Sequence, residues 1–224
     1  MKSDNFFTLR IACDGESSSG KSTAAKLISK KYKLFWMNSG LLFRYASKLI
    51  IKHKPKKSIP FLKKKFKNLN YKNITRLNLH SEKISKHVAI LAKQKKVRQI
   101  VRAFQKKIIK KYKRVCCEGR DQASVILKKN PRYDIAFYFK CNLQTASLRR
   151  WRDLKKKVPL NEVKKSLRTR TLYDKKRYHN PLKKVADAVL IRTDILNKKA
   201  MIAKMSEKID EKMKLKYGRN FKRK

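Results

Sequence analysis

The chain has 224 residues, with 64 Lys+Arg against 15 Asp+Glu and a formal net charge of +49. That length suffices for one well-buried core and requires no second globular unit. No run approaches the roughly 20 apolar residues of a membrane span, and the N-terminal MKSDNFFTLRIACDG lacks the apolar core of a signal peptide, so a cytoplasmic protein is expected.

In chain order, Phe6 to Cys13 reads as a buried strand and Lys21 to Tyr32 as a helix with Ala24, Ala25, Leu27 and Ile28 as its apolar or small positions. Leu34 to Met37 suits a short strand and Leu41 to Lys52 a helix, whereas Lys54 to Asn78 is strongly basic and poorly periodic. Ser81 to Lys93 and Val97 to Ile109 place apolar residues at helical spacing behind lysine-rich outer faces. Arg114 to Cys117 and Asp134 to Cys141 read as buried strands, Leu143 to Leu154 and Leu160 to Arg177 as helices. Ala188 to Thr193 is a last strand, Lys198 to Lys214 a closing helix, and the tail from Lys216 to Lys224 is expected to fray. Buried strands alternating with helices predict an α/β fold, a parallel sheet flanked by helices. Cys13, Cys116, Cys117 and Cys141 stand in apolar stretches with no CxxC pair or zinc spacing, which predicts buried, reduced thiols.

The excess charge draws the chain toward polyanions at low salt, so nucleic acid is a candidate partner, bound without specificity. Against that, lysines run almost evenly from Lys2 to Lys224, as a drifting codon composition produces, and no RNA-binding consensus accompanies them.

Gly15, Glu16, Ser17, Ser18, Ser19, Gly20, Lys21 and Ser22 spell GESSSGKS, which matches GxxxxGK[ST] and is followed by Thr23. It stands straight after a buried strand and before a helix, where loop amides and the helix N-terminus point donors at phosphates. Lys21 is expected to reach the β and γ oxygens of a nucleoside triphosphate, and Ser22 to bind Mg²⁺ through its hydroxyl. Glu16 would repel phosphate if it pointed inward, whereas a side chain turned to solvent would cost little. Ser18 occupies a place where glycine is usual and a positive φ is needed.

With FTLRIACDGESSSGKST, MNSGLLFR, KKVRQIVRAFQ, CCEGRD, RTRTLYDKKR and KKVADAVLIRT in that order, the sequence resembles the cytidylate kinase family over nearly its whole length. The resemblance implies a P-loop kinase with ATP and Mg²⁺ as cofactors and CMP or dCMP as phosphoryl acceptor. It implies a monomer with a core of 1–53, 114–151 and 181–224, a nucleoside-monophosphate-binding insert of 54–113 and a mobile lid of 152–180. Residue by residue, it implies that Ser39 and Arg44 hold the acceptor phosphate and that Arg98 and Asp121 read the cytosine edge. Arg120 contacts phosphate, and Arg170, Asp174 and Arg177 hold the acceptor's ribose and phosphate from the lid side. Lys21, Arg120, Arg170 and Arg177 are then the catalytic cations, and Asp121 recognises or orients rather than acting as a base.

Independently of any family, Arg170, Asp174 and Arg177 are spaced to share one helix face, either as an anion site or as a surface ion-pair ladder. Departures from the family pattern are Asn38 for aspartate, Phe43 for tyrosine, Ala89 for serine, Ala123 for glycine and Tyr173 for a lid arginine. Two other readings compete: a uridine-kinase-like enzyme, which the EGRD and Arg170/Asp174/Arg177 sets oppose, and a basic nucleic-acid-binding protein on a degenerate kinase scaffold.

Overall fold

The computed structural model describes residues 7–218. Five strands, β1 (Leu9–Gly15), β2 (Phe35–Asn38), β3 (Arg114–Gly119), β4 (Ile135–Lys140) and β5 (Val189–Arg192), form one sheet in the order β2-β3-β1-β4-β5. In chain order the helices are α1 (Lys21–Lys31), α2 (Ser39–His53), α3 (Ser58–Lys67), α4 (Tyr71–Thr75), α5 (Glu82–Leu91), α6 (Lys95–Lys111), α7 (Leu143–Asp153), α8 (Leu160–Lys176) and α9 (Lys198–Tyr217). A five-residue π-helical turn occupies Gln122–Ile126. The chain divides into two compact units, Met1–Met37 with Tyr112–Lys224, and Asn38–Lys111.

In the first unit, β1 runs parallel to both β3 and β4, and β4 parallel to β5. Strands buried on both faces read as continuous apolar runs rather than alternating ones, which is why Leu9, Ile11, Ala12 and Cys13 all lie in the interior. Ala24, Ala25 and Ile28 of α1 and Met201, Met205, Ile209 and Met213 of α9 pack against the sheet residues Leu9, Ile11, Phe137, Phe139 and Ile191. The small alanines let α1 approach β1 closely, and the unbranched methionines of α9 fill the irregular space left over. At Gly15 a side chain is excluded, because a Cβ there would stand 2.8 Å from the Cβ of Phe139 and 2.9 Å from its nitrogen. That close approach of β1 to β4 fixes where the strand ends and the loop begins. All four cysteines are buried and free, as their apolar surroundings predict.

The first strand starts at Leu9 and continues to Gly15, two residues beyond the expected end, because Asp14 and Gly15 keep pairing with β3 and β4; the expected Phe6 lies outside the described residues. Nor does the closing helix stop at Lys214. Tyr217 is held by Thr8, whose amide donates to its hydroxyl at 2.9 Å, and the Lys216 ammonium reaches Asp134 at 2.6 Å. The tail beyond Gly218 lies outside the described residues.

The second unit is helical. Asn38 caps α2 by accepting from the Leu41 amide at 3.3 Å, and Ser81 caps α5 by accepting from Ile84 at 3.3 Å. The basic stretch read as poorly periodic contains α3 and α4. Its apolar signal is only Leu62 and Phe66 at i,i+4, diluted by lysines at 63, 64, 65 and 67, but those two are fully buried and Phe66 meets Phe104 of α6 edge-on at 5.8 Å. Among the described residues, no helix is long and apolar enough to cross a membrane.

Candidate active site

The order of strands reverses about β1, and in open parallel sheets ligands bind outside the carboxyl ends of strands at such a point. The carboxyl end of β1 is the GESSSGKS loop. Gly20 caps α1 with φ 73°, and Ser18 sits at φ 56°, the left-handed conformation expected of its position. A non-glycine residue there costs roughly 1–2 kcal/mol, so contacts elsewhere must hold the loop. They are present: the Glu16 amide donates to the Phe139 carbonyl at 3.2 Å, and Ser19 Oγ donates to the Glu16 carbonyl at 2.8 Å. Thr193, just after β5, donates from Oγ1 to the Ser19 carbonyl at 3.0 Å, and is itself held by Arg149 through both its hydroxyl and its carbonyl.

The Lys21 ammonium lies 3.4 Å from the Glu16 carbonyl and is buried. Burial first, then the Arg120 guanidinium, pushes it down to about 7. Lysine's ordinary value is 10.5, so between about pH 7 and 10.5 the unfolded chain binds the extra proton and this group's cost to stability relaxes as pH rises. Bound phosphates reverse the balance by favouring the charged form. Triphosphate binding at pH 8 is therefore expected to take up close to one proton at Lys21, and almost none at pH 6. Calorimetry in buffer pairs that differ in ionisation heat, Tris and Hepes at pH 8 and Mes and Bis-Tris at pH 6, reads that uptake, and Lys21→Arg should lack it because arginine stays charged.

Ser22 Oγ donates to Glu118 Oε1 at 2.7 Å, and Trp36 Nε1 donates to the other Glu118 oxygen at 3.2 Å. Thr23 is exposed on the first turn of α1. Of the two orientations open to Glu16, neither is taken fully: its carboxylate pairs with Lys175 of α8 at 2.7 Å and is only 14% exposed. The neutralised acid therefore repels an incoming phosphate less than its sequence position suggests.

Arg120 links the loop to α8. Its Nη2 donates to Ser17 Oγ at 3.0 Å and its Nε to Asp174 Oδ2 at 2.7 Å. Arg177 Nη1 lies 3.5 Å from the other Asp174 oxygen, and its Nη2 3.6 Å from Asp121. Burial opposes ionisation of Asp174, yet Arg120 above all, then Arg170 and Arg177, holds its carboxyl below the ordinary carboxylate range. Arg170 itself is exposed and acts on Lys21 and Asp174 through its charge. The spacing argument is corrected at Arg177: it is the residue after α8, with extended ψ 137°, and its Nε donates to the Asn180 carbonyl at 2.6 Å. A surface ion-pair ladder is likewise displaced, because the partner that Asp174 holds most closely is Arg120, 54 residues away. Asp14 positions this group from below: buried, it accepts from the Gln122 and Ala123 amides at 2.9 and 2.8 Å, which fixes the turn following Arg120 and Asp121. Burial raises its carboxyl to about 6 even so.

In the helical unit, Ser39 is the buried first residue of α2. One turn later Arg44 donates from Nη1 to the Leu79 carbonyl at 2.9 Å and to Ser85 Oγ at 3.0 Å. Arg98 of α6 is buried, donates to the Ala92 carbonyl at 3.2 Å, and lies 5.5 Å from the centre of the Phe43 ring. Phe43, a departure from the family pattern, thus gives Arg98 an aromatic face. Ala89 is exposed on α5 and Tyr173 on α8.

Sequence reasoning passed over Glu118, Asp14, Thr193, Arg149 and Lys175. Glu118 and Asp14 each carried a signal, an acid closing an apolar strand immediately before a glycine. The others act across long sequence separations and had none.

A parallel sheet whose central strand ends in a phosphate loop, with an arginine bonded directly to that loop, defines a P-loop kinase fold. Among solved structures, the shikimate kinase of Bacteroides thetaiotaomicron shares the fold at TM-score 0.50 and 10% identity, over 91% of this chain and 99% of that one. The chain belongs to the cytidylate kinase family, whose model matches residues 11–211. It is 30% identical to a Clostridium botulinum (strain Hall) protein named cytidylate kinase, over 83% of this chain and 90% of that protein. A Mesomycoplasma hyopneumoniae (strain 7448) protein of the same name is 28% identical, over 93% of this chain and 96% of its own length.

Proposed function

We propose that the chain is a nucleoside monophosphate kinase that transfers the γ-phosphoryl group of ATP to CMP or dCMP. The observation carrying this reading is the Arg120 bridge, which ties the phosphate loop at Ser17 to Asp174 and so brings Arg170 within reach of Lys21 and Arg177 against Asp174. A triphosphate and a monophosphate repel each other, and cations around the transferring group let the oxygens approach in line. An oxygen of the acceptor phosphate forms the bond to the γ-phosphorus as the bridging oxygen of ADP leaves. That oxygen is nucleophilic near neutral pH, so no general base is assigned.

The residues present fit both cofactors. Loop amides, Lys21 and the N-terminus of α1 suit a triphosphate, and the Ser22 hydroxyl beside the Glu118 carboxylate is a hard oxygen set that suits Mg²⁺. When bound, the ion would neutralise charge developing on the phosphate oxygens. Ser39 and Arg44 are assigned to the acceptor phosphate, Arg98 and Asp121 to the base, and Arg170, Asp174 and Arg177 to the acceptor's ribose and phosphate. Residues 152–180 are assigned as a lid that excludes water, and the setting is a monomer in the cytoplasm.

ADP release measured with CMP, dCMP, UMP, AMP and uridine tests the reading. CMP or dCMP should give the highest kcat/KM, and turnover with none of the five would overturn it. Arg98→Ala should lower CMP turnover at least about 10-fold, the loss of one charge-assisted contact, while leaving ATP hydrolysis without acceptor within about twofold. Equal loss of both activities would remove Arg98 from base recognition.

A further inference from the structure

Unit Asn38–Lys111 carries a charge asymmetry that the kinase reading does not use. It holds 23 of the 64 Lys+Arg but one of the 15 Asp+Glu. Its basic density is close to that of the rest of the chain, so lysine enrichment alone does not distinguish it. The distinguishing feature is the removal of acids, which a codon drift toward lysine along the whole chain does not produce in one segment only. The one acid, Glu82, is already engaged by Lys86 at 2.7 Å.

The charge has a surface to act on. The helices α3 and α6 meet at Phe66 and Phe104, with Leu62 and Ile108 also buried, and the Lys107 ammonium reaches the Lys67 carbonyl at 3.4 Å. On either side of that contact, Lys63, Lys64, Lys65 and Lys67 of α3 and Lys106, Lys107, Lys110 and Lys111 of α6 are all exposed. Along α6 the cations recur about once per turn, every ~5.4 Å, a spacing that lets several meet successive charges of a linear polyanion.

We propose that the outer face of α3 and α6 binds the phosphodiester backbone of nucleic acid without sequence preference. A bilayer is the competing polyanionic surface, and interfacial helices hold it by inserting apolar side chains between their cations. Here most of the large apolar residues of both helices are turned inward, with Leu62, Phe66, Phe104, Ile108 and Ile109 buried and Ile59 and Phe61 half-buried. Lysine point charges, rather than planar arginine forks, suit phosphates better than base edges.

The test uses the full chain and fluorescence anisotropy with a 20-nucleotide oligo-uridine RNA and a 20-base-pair DNA, between 50 and 200 mM salt. The variant Lys64→Gln/Lys67→Gln/Lys106→Gln/Lys110→Gln/Lys111→Gln is compared with Lys198→Gln/Lys199→Gln/Lys204→Gln/Lys212→Gln/Lys214→Gln, in which five exposed lysines of α9 are removed. Both variants lose the same formal charge. The first should weaken binding at least tenfold at 150 mM salt, and shallow the log–log salt slope by about 2–3, at roughly 0.7 per lost single-strand phosphate contact. The second should weaken it less than threefold. A two-site variant, Lys64→Gln/Lys106→Gln, should fall between, and ADP release shows that each variant is folded. Equal weakening by the two five-site variants would reduce the effect to net charge and overturn the proposal. So would an absence of nucleic-acid binding at 150 mM, or tighter binding to phosphatidylcholine vesicles containing phosphatidylserine than to either oligonucleotide.

Discussion

Lys21→Ala is expected to lower phosphoryl transfer by on the order of 10²–10³-fold, the range seen when one preorganised charge-stabilising donor is lost. The loss should fall mainly on kcat. Lys21 sits at the start of α1, its ammonium is buried, and its contact in the loop is a single carbonyl at 3.4 Å, so the charge is held in place with little else to satisfy it. The same burial that depresses its proton affinity strengthens its attraction for phosphate, because both follow from a low local dielectric. Stability should move the other way: removing a cation that is costly to bury should leave the unfolding midpoint in urea unchanged or slightly higher. Steady-state ADP release together with urea unfolding checks both halves. A variant that lost activity and stability in parallel would mean that Lys21 holds the fold rather than the phosphates.

Asp174→Ala should be damaging in both measurements. Its carboxylate is the shared counter-ion of Arg120 and Arg177, and both sides of these pairs are largely buried, at 16% and 17% exposure. Removing one partner from such a cluster leaves cations without compensation, and a cost of about 3 kcal/mol is expected in urea unfolding. Activity should fall by at least about 10²-fold, since Arg120 and Arg177 lose the group that orients them. Asp174→Asn keeps an oxygen acceptor for Arg120 Nε and should retain more stability than activity, because the charge that draws Arg170 and Arg177 together is gone. Equal behaviour of the two variants would mean that charge alone, not hydrogen bonding, organises the cluster.

The phosphate loop was legible in the sequence because anion capture is local. The amides, the helix start and Lys21 all lie within eight residues, and the motif carries its own geometry. The sheet was legible for a similar reason, since strands buried on two faces show as apolar runs wherever they fall. Glu16 was not legible, because what neutralises it is Lys175, 159 residues away, and no pattern near either residue announces the pair. Arg177 was misjudged on its backbone: spacing put it on the helix, but the chain turns away there. The Leu182 amide bonds to the Asp174 carbonyl at 2.6 Å, Asn180 adopts φ 55°, and Pro181 follows. α3 was hidden by composition, with two buried anchors among lysines giving too weak a period to read. The acid depletion of Asn38–Lys111 was visible in the residues all along, since the insert of 54–113 that the family resemblance implies holds the same single acid, Glu82.

The α7–α8 hairpin has a private interior. Cys141, Ala146, Val163 and Leu167 are buried together, with Leu143, Trp151, Leu154 and Val158 around them, in a cluster separate from the one that covers the sheet. Its root is tethered where Asn142 donates to Asp194 at 3.3 Å, and its connecting turn passes through Lys155 and Lys156, both in the left-handed conformation. Oil of its own lets a small element keep its shape while its attachments change. Swinging α8 away from the loop would sacrifice the Lys175–Glu16 and Asp174–Arg120 pairs, both electrostatic and replaceable by water or by an anion, and would leave the packing of the sheet untouched.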